Sequence, residues 1–221
     1  MKRFFRNNGL SIGLAVLFVV FLFCHSVAGY LSHNEDQADH GQPQLTYVGF
    51  LTSGEFLESV GENWESEFLQ MGAFIMMTRF LFQKGSSESK DPDAPPEEVD
   101  EDPKKHKRDK KAPWPVRKGG LVLFLYQHSL STAFFLLFVI SFAMHAAGGW
   151  TASNEEQLLH GRSPVTFLQF LGSSRFWYQS FQNWQSEFLA IWCMVFLSIY
   201  LREHGSPQSK PVHAPNSDTG E

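Results

Sequence analysis

The residues best suited to chemistry in this sequence are two histidines, His25 and His145, each inside a long apolar segment. An ionisable side chain within an apolar helix is costly and is often functional. Two facing imidazoles can ligate a haem or a divalent metal ion, or relay protons. A hydrogen bond across a helix bundle explains the same pair without any such chemistry and is the favoured interpretation, with metal or haem ligation and a proton path as the alternatives.

A polar motif follows each of these apolar segments. It reads Asn34-Glu35-x-Gln37-x-x-His40-Gly41 and occurs again as Asn154-Glu155-x-Gln157-x-x-His160-Gly161. The carboxylates of Glu35 and Glu155 and the imidazoles of His40 and His160 are candidate ligands of a divalent cation. Their separation of five residues is not the spacing of a helical metal site. The favoured interpretation is therefore that the motif caps the end of the helix and the start of the loop.

A further pair of acidic residues, Glu67 and Glu187, lies in the motif N-W-x-S-E-F-L. We expect Asn63 and Asn183 to cap a helix there, with the acidic group in its first turn complementing the helix dipole. Alternatively, the two glutamates and the two histidines line a polar path. The sequence contains no nucleophile–histidine–acid pattern, P-loop or GxGxxG. No catalytic residue is predicted, and enzymatic activity is not expected.

Four apolar segments must position these residues, and each is predicted to be a transmembrane helix. A helix of twenty residues spans about 30 Å, the thickness of the hydrocarbon core. The predicted spans are about 10–30, 64–83, 130–150 and 184–202. The first segment also has the basic start and small residues of a cleaved signal peptide. Its length, and the recurrence of the same pattern inside the chain, favour an uncleaved span.

The sequence aligns with itself without a gap when it is shifted by 120 residues. HSVAGY at 25–30 meets HAAGGW at 145–150, and NWESEFL at 63–69 meets NWQSEFL at 183–189. The predicted domains are a first repeat unit at 1–84, a charged linker at 85–118 and a second unit at 119–221. Because each unit holds two spans, the two copies enter the membrane in the same direction. The predicted fold class is an all-α membrane protein with four transmembrane helices in two parallel repeats.

The division of basic residues predicts the orientation. The chain has 18 Lys and Arg against 23 Asp and Glu, a net charge of −5. Sixteen of the basic residues lie at the termini, at the linker or at the adjoining helix ends, while only Arg162 and Arg175 lie in the opposite loops. By the positive-inside rule, both termini and the linker are cytoplasmic. The linker, with its acidic and basic blocks, is interpreted as a tether and topology signal, with contact to anionic lipid as the alternative, and no nucleic-acid binding is predicted.

The outer loops carry a second apolar pattern. Each breaks at Ser53-Gly54 or at Gly172-Ser-Ser, and then resumes with the spacing of a helix that has one apolar face. Ser53 and Ser173 are well placed to cap such helices. The sequence therefore predicts a short amphipathic helix in each outer loop, lying at the membrane interface and leading directly into spans two and four.

Three stretches carry a resemblance to a known family: F-x-R-N-N-G-L-S at 4–11, N-W-E-S-E-F-L-Q at 63–70 and K-G-S-S-E-S-K-D-P at 84–92. With them the chain resembles an uncharacterised family of bacterial multi-pass membrane proteins, known only as a domain of unknown function. The resemblance covers both halves. It implies a protein of the bacterial inner membrane and carries no activity, cofactor or site residue.

Three classes of function are compatible with these patterns. The first is a non-enzymatic structural or interaction protein of the bacterial envelope, whose partners are the bilayer and either a membrane protein or a second copy. The second is a small ion or solute transporter or channel. The third is a membrane redox protein that binds haem or a metal. No cofactor is predicted under the first two classes.

Overall fold

Every regular element among residues 2–220, which the computed structural model describes, is a helix. The predicted all-α class is therefore confirmed. The α-helices are α1 Lys2–Asp39, α2 Tyr47–Leu51, α3 Gly54–Met77, α4 Trp114–Lys118, α5 Gly120–Gln127, α6 Ser129–Leu159, α7 Phe167–Leu171 and α8 Ser174–Leu197. Two short 3-10 helices, Glu98–Asp100 and Pro103–His106, lie in the charged linker.

Two of these helices, α1 and α6, are long and apolar enough to cross a membrane. Only a small share of the apolar stretch of either helix is buried. A core helix of a water-soluble domain would instead bury most of its apolar side chains. By the same criteria of length and apolarity, neither α3 nor α8 qualifies as a membrane span among the described residues. The four-span arrangement therefore stays a prediction.

Helices α3 and α8 begin ten residues earlier than the predicted spans and end before them. The helix N-termini predicted at Asn63 and Asn183 are wrong, because both residues lie within a continuous helix. No proline interrupts either sequence, so the amphipathic turns and the apolar turns form one helix. The predicted caps are confirmed: the Ser53 hydroxyl accepts a hydrogen bond from the Phe56 N–H at 3.2 Å, and Ser173 accepts one from Phe176 at 3.3 Å.

Helices α1 and α6 continue about nine residues beyond the predicted end of their spans. Each ends just before a His-Gly pair, where Gly41 and Gly161 both adopt φ +66°. This left-handed conformation is typical of the glycine that follows a helix C-terminus. The segments between the predicted spans of each half, 31–63 and 151–183, are therefore largely helical, and only short connections remain.

From the C-terminus of the long helix onward, the helices of the second half recur 120 residues after those of the first, since α1 ends at Asp39 and α6 at Leu159. The bounds of α7 and α8 follow those of α2 and α3 at this interval. Thr46 and Thr166, the N-caps of α2 and α7, have the same backbone angles, φ −72° and ψ 158°. Descent from a tandem duplication stays a prediction, but the local structures of the two halves correspond closely.

The chain forms two compact units. Unit 1 combines the chain up to Gly61 with Ala143–Phe176, and unit 2 combines Glu62–Phe142 with the chain from Trp177 onward. Each unit therefore draws on both sequence halves. The predicted division at 1–84, 85–118 and 119–221 rests on sequence repetition alone and stays a prediction.

In unit 2, a buried lysine holds the C-terminal tail. The Lys210 ammonium donates hydrogen bonds to the backbone carbonyls of Gly85 at 2.5 Å, Asp218 at 2.8 Å and Asn216 at 3.1 Å. Burial lowers the pKa of Lys210, and the neighbouring positive charge of Arg202 lowers it further. The K-G-S-S-E-S-K segment and the polar tail therefore fold together around one cation.

Candidate functional site

His145 lies in the interior of unit 1. Its side chain is 0% exposed and stacks on the ring of Phe176, with 4.7 Å between the ring centroids. Helix α3 approaches its backbone so closely that a Cβ on Gly61 would lie 2.4 Å from the His145 nitrogen. His145 is therefore enclosed by α3 and α8 residues of its own unit.

His25 has a different environment, although its position in the sequence corresponds to that of His145. Its side chain is exposed, with Nε2 at 3.3 Å from the Ser59 hydroxyl and the ring 5.7 Å from that of Phe56. The contacts of His25 with Ser59 and Phe56 differ from the stacking of His145 on Phe176. The favoured interpretation of the pair as a structural hydrogen bond, and the alternatives of a metal, haem or proton site, stay predictions.

The asparagine of the polar motif connects the end of each long helix to the returning chain. The Asn34 amide donates to the Leu45 carbonyl at 3.1 Å, and its oxygen accepts the Leu45 N–H at 2.8 Å. Asn154 makes the same two bonds to Val165, at 3.1 and 2.8 Å. Each asparagine thus satisfies both backbone groups of one loop residue, which determines where the loop turns back.

The histidines of the motif lie at the helix ends. Nδ1 of His40 is 2.8 Å from the Asp36 carbonyl, and Nδ1 of His160 is 2.9 Å from the Glu156 carbonyl. The motif's glutamates, Glu35 and Glu155, are exposed. Within the described part of the chain, no three His, Cys, Asp or Glu side chains are grouped as metal ligands. The interpretation that the asparagine and glutamate of the motif cap the helix end and the loop start stays a prediction.

The predicted acidic pair differs from the buried acidic residues of the structure. Glu67 is exposed and Glu187 is half-buried, whereas Glu58 in unit 1 is 6% exposed and Glu65 in unit 2 is 0% exposed. The Trp184 indole N–H donates to the Glu65 carboxylate at 3.1 Å. Sequence reasoning missed both glutamates because tyrosine and glutamine occupy the corresponding positions of the second half. Their spacing of seven residues on one helix was the signal available.

A second feature that the sequence analysis missed is the pair formed by His33 and Glu55 in unit 1. Nδ1 of His33 lies 2.5 Å from the Glu55 carboxylate, and the His33 side chain is 8% exposed. The second half has no such pair, since serine stands at position 153 and Arg175 at the position of Glu55. Arg175 instead forms an ion pair with Glu156. The two halves therefore connect equivalent helices through different side-chain pairs: His33–Glu55 connects α1 to α3, and Glu156–Arg175 connects α6 to α8.

A cleft of about 430 Å³ lies beside His33 in unit 1. Gln37 and Glu155 contribute polar groups to its wall, and Leu158 and Leu159 contribute apolar surface. Its size is within the range of small-molecule sites, roughly 300–1,000 Å³. Histidine, carboxylate and amide groups thus meet apolar surface at one place in the unit.

A family model matches residues 1–221 of the chain. The chain belongs to the family DUF6766, described as a domain of unknown function. The predicted membership of an uncharacterised family is confirmed, while its bacterial and multi-pass character stays a prediction. No curated protein and no solved structure matches the chain. The function proposed for this chain therefore rests on the geometry of the described residues.

Proposed function

We propose that this chain is an integral protein of the bacterial inner membrane with a structural or interaction role and no enzymatic activity. The observation that carries this proposal is that the asparagines and histidines of the polar motif bond to the backbone of the loop and of the helix end. Asn34 and Asn154 form the same two bonds to the returning loop, and His40 and His160 the same contact at the helix end. These asparagines and histidines, which occur in both halves, thus stabilise the loop and the helix end.

The exposure of α1 supports its insertion into lipid. Large apolar side chains are exposed on every side of its first six turns: Leu10, Leu14, Val16, Leu17, Phe18, Val19, Val20, Phe21 and Phe23. Transfer of one such side chain from water to an apolar medium is favourable by about 1.5–3 kcal/mol. A water-soluble protein would lose this free energy at each of these positions, whereas a bilayer provides it.

The proposal includes four spans with both termini in the cytoplasm. Helices α3 and α8 have 24 residues each and therefore a length of about 36 Å. Beyond their C-termini, exposed apolar side chains continue at Phe80–Phe82 and at Tyr200–Leu201. The bilayer favours such side chains, and the concentration of Lys and Arg in the linker and at the termini favours a cytoplasmic location for those segments.

Single cysteines test this topology. In a background with Cys24→Ser and Cys193→Ser, cysteine is introduced at exposed positions, one variant at a time: Gln42, Arg108, Ser163 and Val212. A membrane-impermeant maleimide should label positions 42 and 163 in cells whose inner membrane is intact, and positions 108 and 212 only after lysis. Labelling of position 108 from outside would refute the four-span arrangement, because two spans alone place the linker outside.

Purification from native membranes tests the functional class. We expect a colourless protein without stoichiometric metal, which cross-links reproducibly either to one membrane protein or to a second copy of itself. A Soret band or one bound metal ion per chain would overturn the proposal in favour of the haem or metal class. Failure to cross-link to any partner would contradict an interaction role.

The burial of Glu65 favours a transporter or channel as the second candidate function. A carboxyl group at membrane depth is costly and often marks a proton or ion path. Glu65→Gln removes the charge and retains an acceptor for the Trp184 indole. In proteoliposomes, this second function predicts proton or cation flux that Glu65→Gln abolishes and that exposed Glu67→Gln does not. Flux no greater than in empty liposomes would remove the second candidate.

A further inference from the structure

We propose that the cleft of unit 1 binds a small primary amine with an apolar body. The cleft lies beside the end of α1 and is lined in part by the end of α6, and it contains polar groups from both helices. This inference goes beyond the proposed structural or interaction role, and it holds whichever side of the membrane the cleft faces.

His33 supplies the first acceptor. Its Nδ1 is 2.5 Å from the Glu55 carboxylate, and a carboxylate can only accept, so Nδ1 carries the proton in the neutral imidazole. The tautomer then leaves Nε2 as a hydrogen-bond acceptor. His33 lines the cleft and its ring lies 5.5 Å from that of Phe50, so the imidazole has a fixed place in the cleft wall, and the proposal assigns its Nε2 to the ligand.

Glu155 and Gln37 supply further acceptors in the same cleft. No lysine or arginine is among the described residues that line it. A cleft wall with one carboxylate and no cationic side chain in its described part favours a positively charged ligand, and hydrogen bonds to charged groups are stronger than neutral ones. An ammonium group has three N–H donors, which matches the imidazole nitrogen, the carboxylate and the amide oxygen.

The remaining walls select the body of the ligand. Leu45, Leu158 and Leu159 line the cleft, and its volume of about 430 Å³ accommodates a small ring or a short alkyl chain. A bound metal ion is the less suitable occupant, because catalytic zinc sites use three protein ligands and the cleft offers only His33 and Glu155. The combination of acceptors and leucines fits an arylalkyl or alkyl ammonium ion.

The sequence provides a matched control for this site. Glu35 is the residue that corresponds to Glu155 in the first half, and both glutamates are exposed. Glu35 does not line the cleft, whereas Glu155 does. Substitution of either residue by glutamine removes one negative charge from equivalent positions of the two halves, and only one of the two changes the proposed site.

The experiment measures binding of phenethylamine to the full chain in lipid nanodiscs by calorimetry at neutral pH. We expect 2-phenylethanol, which lacks the charge, to bind at least about tenfold more weakly than phenethylamine. Phenethylamine itself should bind at least about tenfold more weakly to the Glu155→Gln variant than to the unchanged chain. Glu35→Gln should bind like the unchanged chain. Leu158→Trp, which fills the cleft and leaves every charge in place, should abolish binding.

Several results would overturn the proposal. Equal binding of the amine and the alcohol would indicate partition into lipid or apolar surface, and an equal effect of Glu35→Gln would indicate general charge attraction. Stoichiometric binding of ZnCl₂ that excludes the amine would show a metal site in its place. The thermal unfolding midpoint of each variant identifies loss of folding, and Leu158→Trp then provides an independent test if Glu155→Gln is unstable.

Discussion

At the scale of single residues, glycines determine how closely α3 and α6 approach in unit 1. A Cβ on Gly54 would lie 2.8 Å from the Ala152 nitrogen, and one on Gly148 would lie 2.4 Å from the Glu58 nitrogen. Gly61 has the same relation to His145. Small residues at a helix crossing let the backbones come into contact, which is common among helices in membranes.

Gly61→Ala should therefore destabilise the protein. The added methyl group meets backbone atoms, which cannot rotate away, and such overpacking costs about 1–3 kcal/mol. Gly13→Ala is the control, because a Cβ there has nothing within 4 Å and the change raises helix propensity by up to about 1 kcal/mol. Thermal unfolding in detergent should show a lower midpoint for Gly61→Ala only. Equal midpoints for both variants would contradict the close crossing.

The buried side chains also show why residue-level prediction was incomplete. Comparison of the two halves selected His25 and His145 because they correspond, yet one is exposed and the other fully buried. The same comparison passed over His33 and Glu58, which have no counterpart in the second half. Burial depends on which helices cross at a position, and that is not encoded in the local pattern.

At the scale of elements, the loop after each long helix is held by one asparagine side chain. Asn34→Ala and Asn154→Ala should each lower the free energy of unfolding by about 1–3 kcal/mol, because two backbone groups lose their partner. Asn8→Ala, at an exposed position of α1, should change it by no more than about 0.5 kcal/mol. Thermal unfolding of the three variants checks this. If Asn8→Ala matched the other two, the loop bonds would not be the cause.

The charged linker is an element whose contacts depend on pH. The Lys90 ammonium donates a hydrogen bond of 2.6 Å to Asp100 and lowers the pKa of that carboxyl group below its ordinary value. The contact therefore stabilises the folded linker above the ordinary pKa of aspartate. This contribution disappears as the pH falls through the lowered value.

Carboxyl carbon NMR shifts of labelled aspartate measure this effect. Lys90→Gln should return the pKa of Asp100 towards its ordinary range, because the largest cause of the shift is removed. Lys110→Gln takes the same charge from the same linker and should leave the Asp100 titration nearly unchanged. If the two variants had the same effect, general charge in the linker would account for the shift.

At the scale of the whole molecule, the predicted uncleaved first span contributes contacts to the chain that follows it. The Ser26 hydroxyl lies 2.6 Å from the Tyr47 hydroxyl, and a Cβ on Gly29 would meet the ring of Phe50 at 2.9 Å. Gly149 meets Phe170 in the same way. Cleavage after Ala28 would remove one of these contacts and the apolar part of α1.

Peptide mass mapping of the protein from native membranes should therefore recover peptides that contain residues 10–28. A protein that lacks the residues up to Ala28 would refute the uncleaved span. Glycine at position 29 provides a check within the same sample, since a cleaved protein would begin there and N-terminal sequencing would report Gly-Tyr-Leu.

The sequence by itself determined the helical class, the family, the apolar segments of α1 and α6, and the serine caps of α3 and α8. The family follows from the resemblance of the motifs at 4–11, 63–70 and 84–92. The other features follow from composition, periodicity and cap residues, which act over a few neighbouring positions. Only the tertiary structure decided the continuity of α3 and α8, the enclosure of His145, the burial of Glu58 and the His33–Glu55 pair beside the cleft. The continuity of α3 and α8 depends on how adjoining segments merge into one helix. The other three features depend on contacts between residues more than twenty positions apart, which form only when the helices pack.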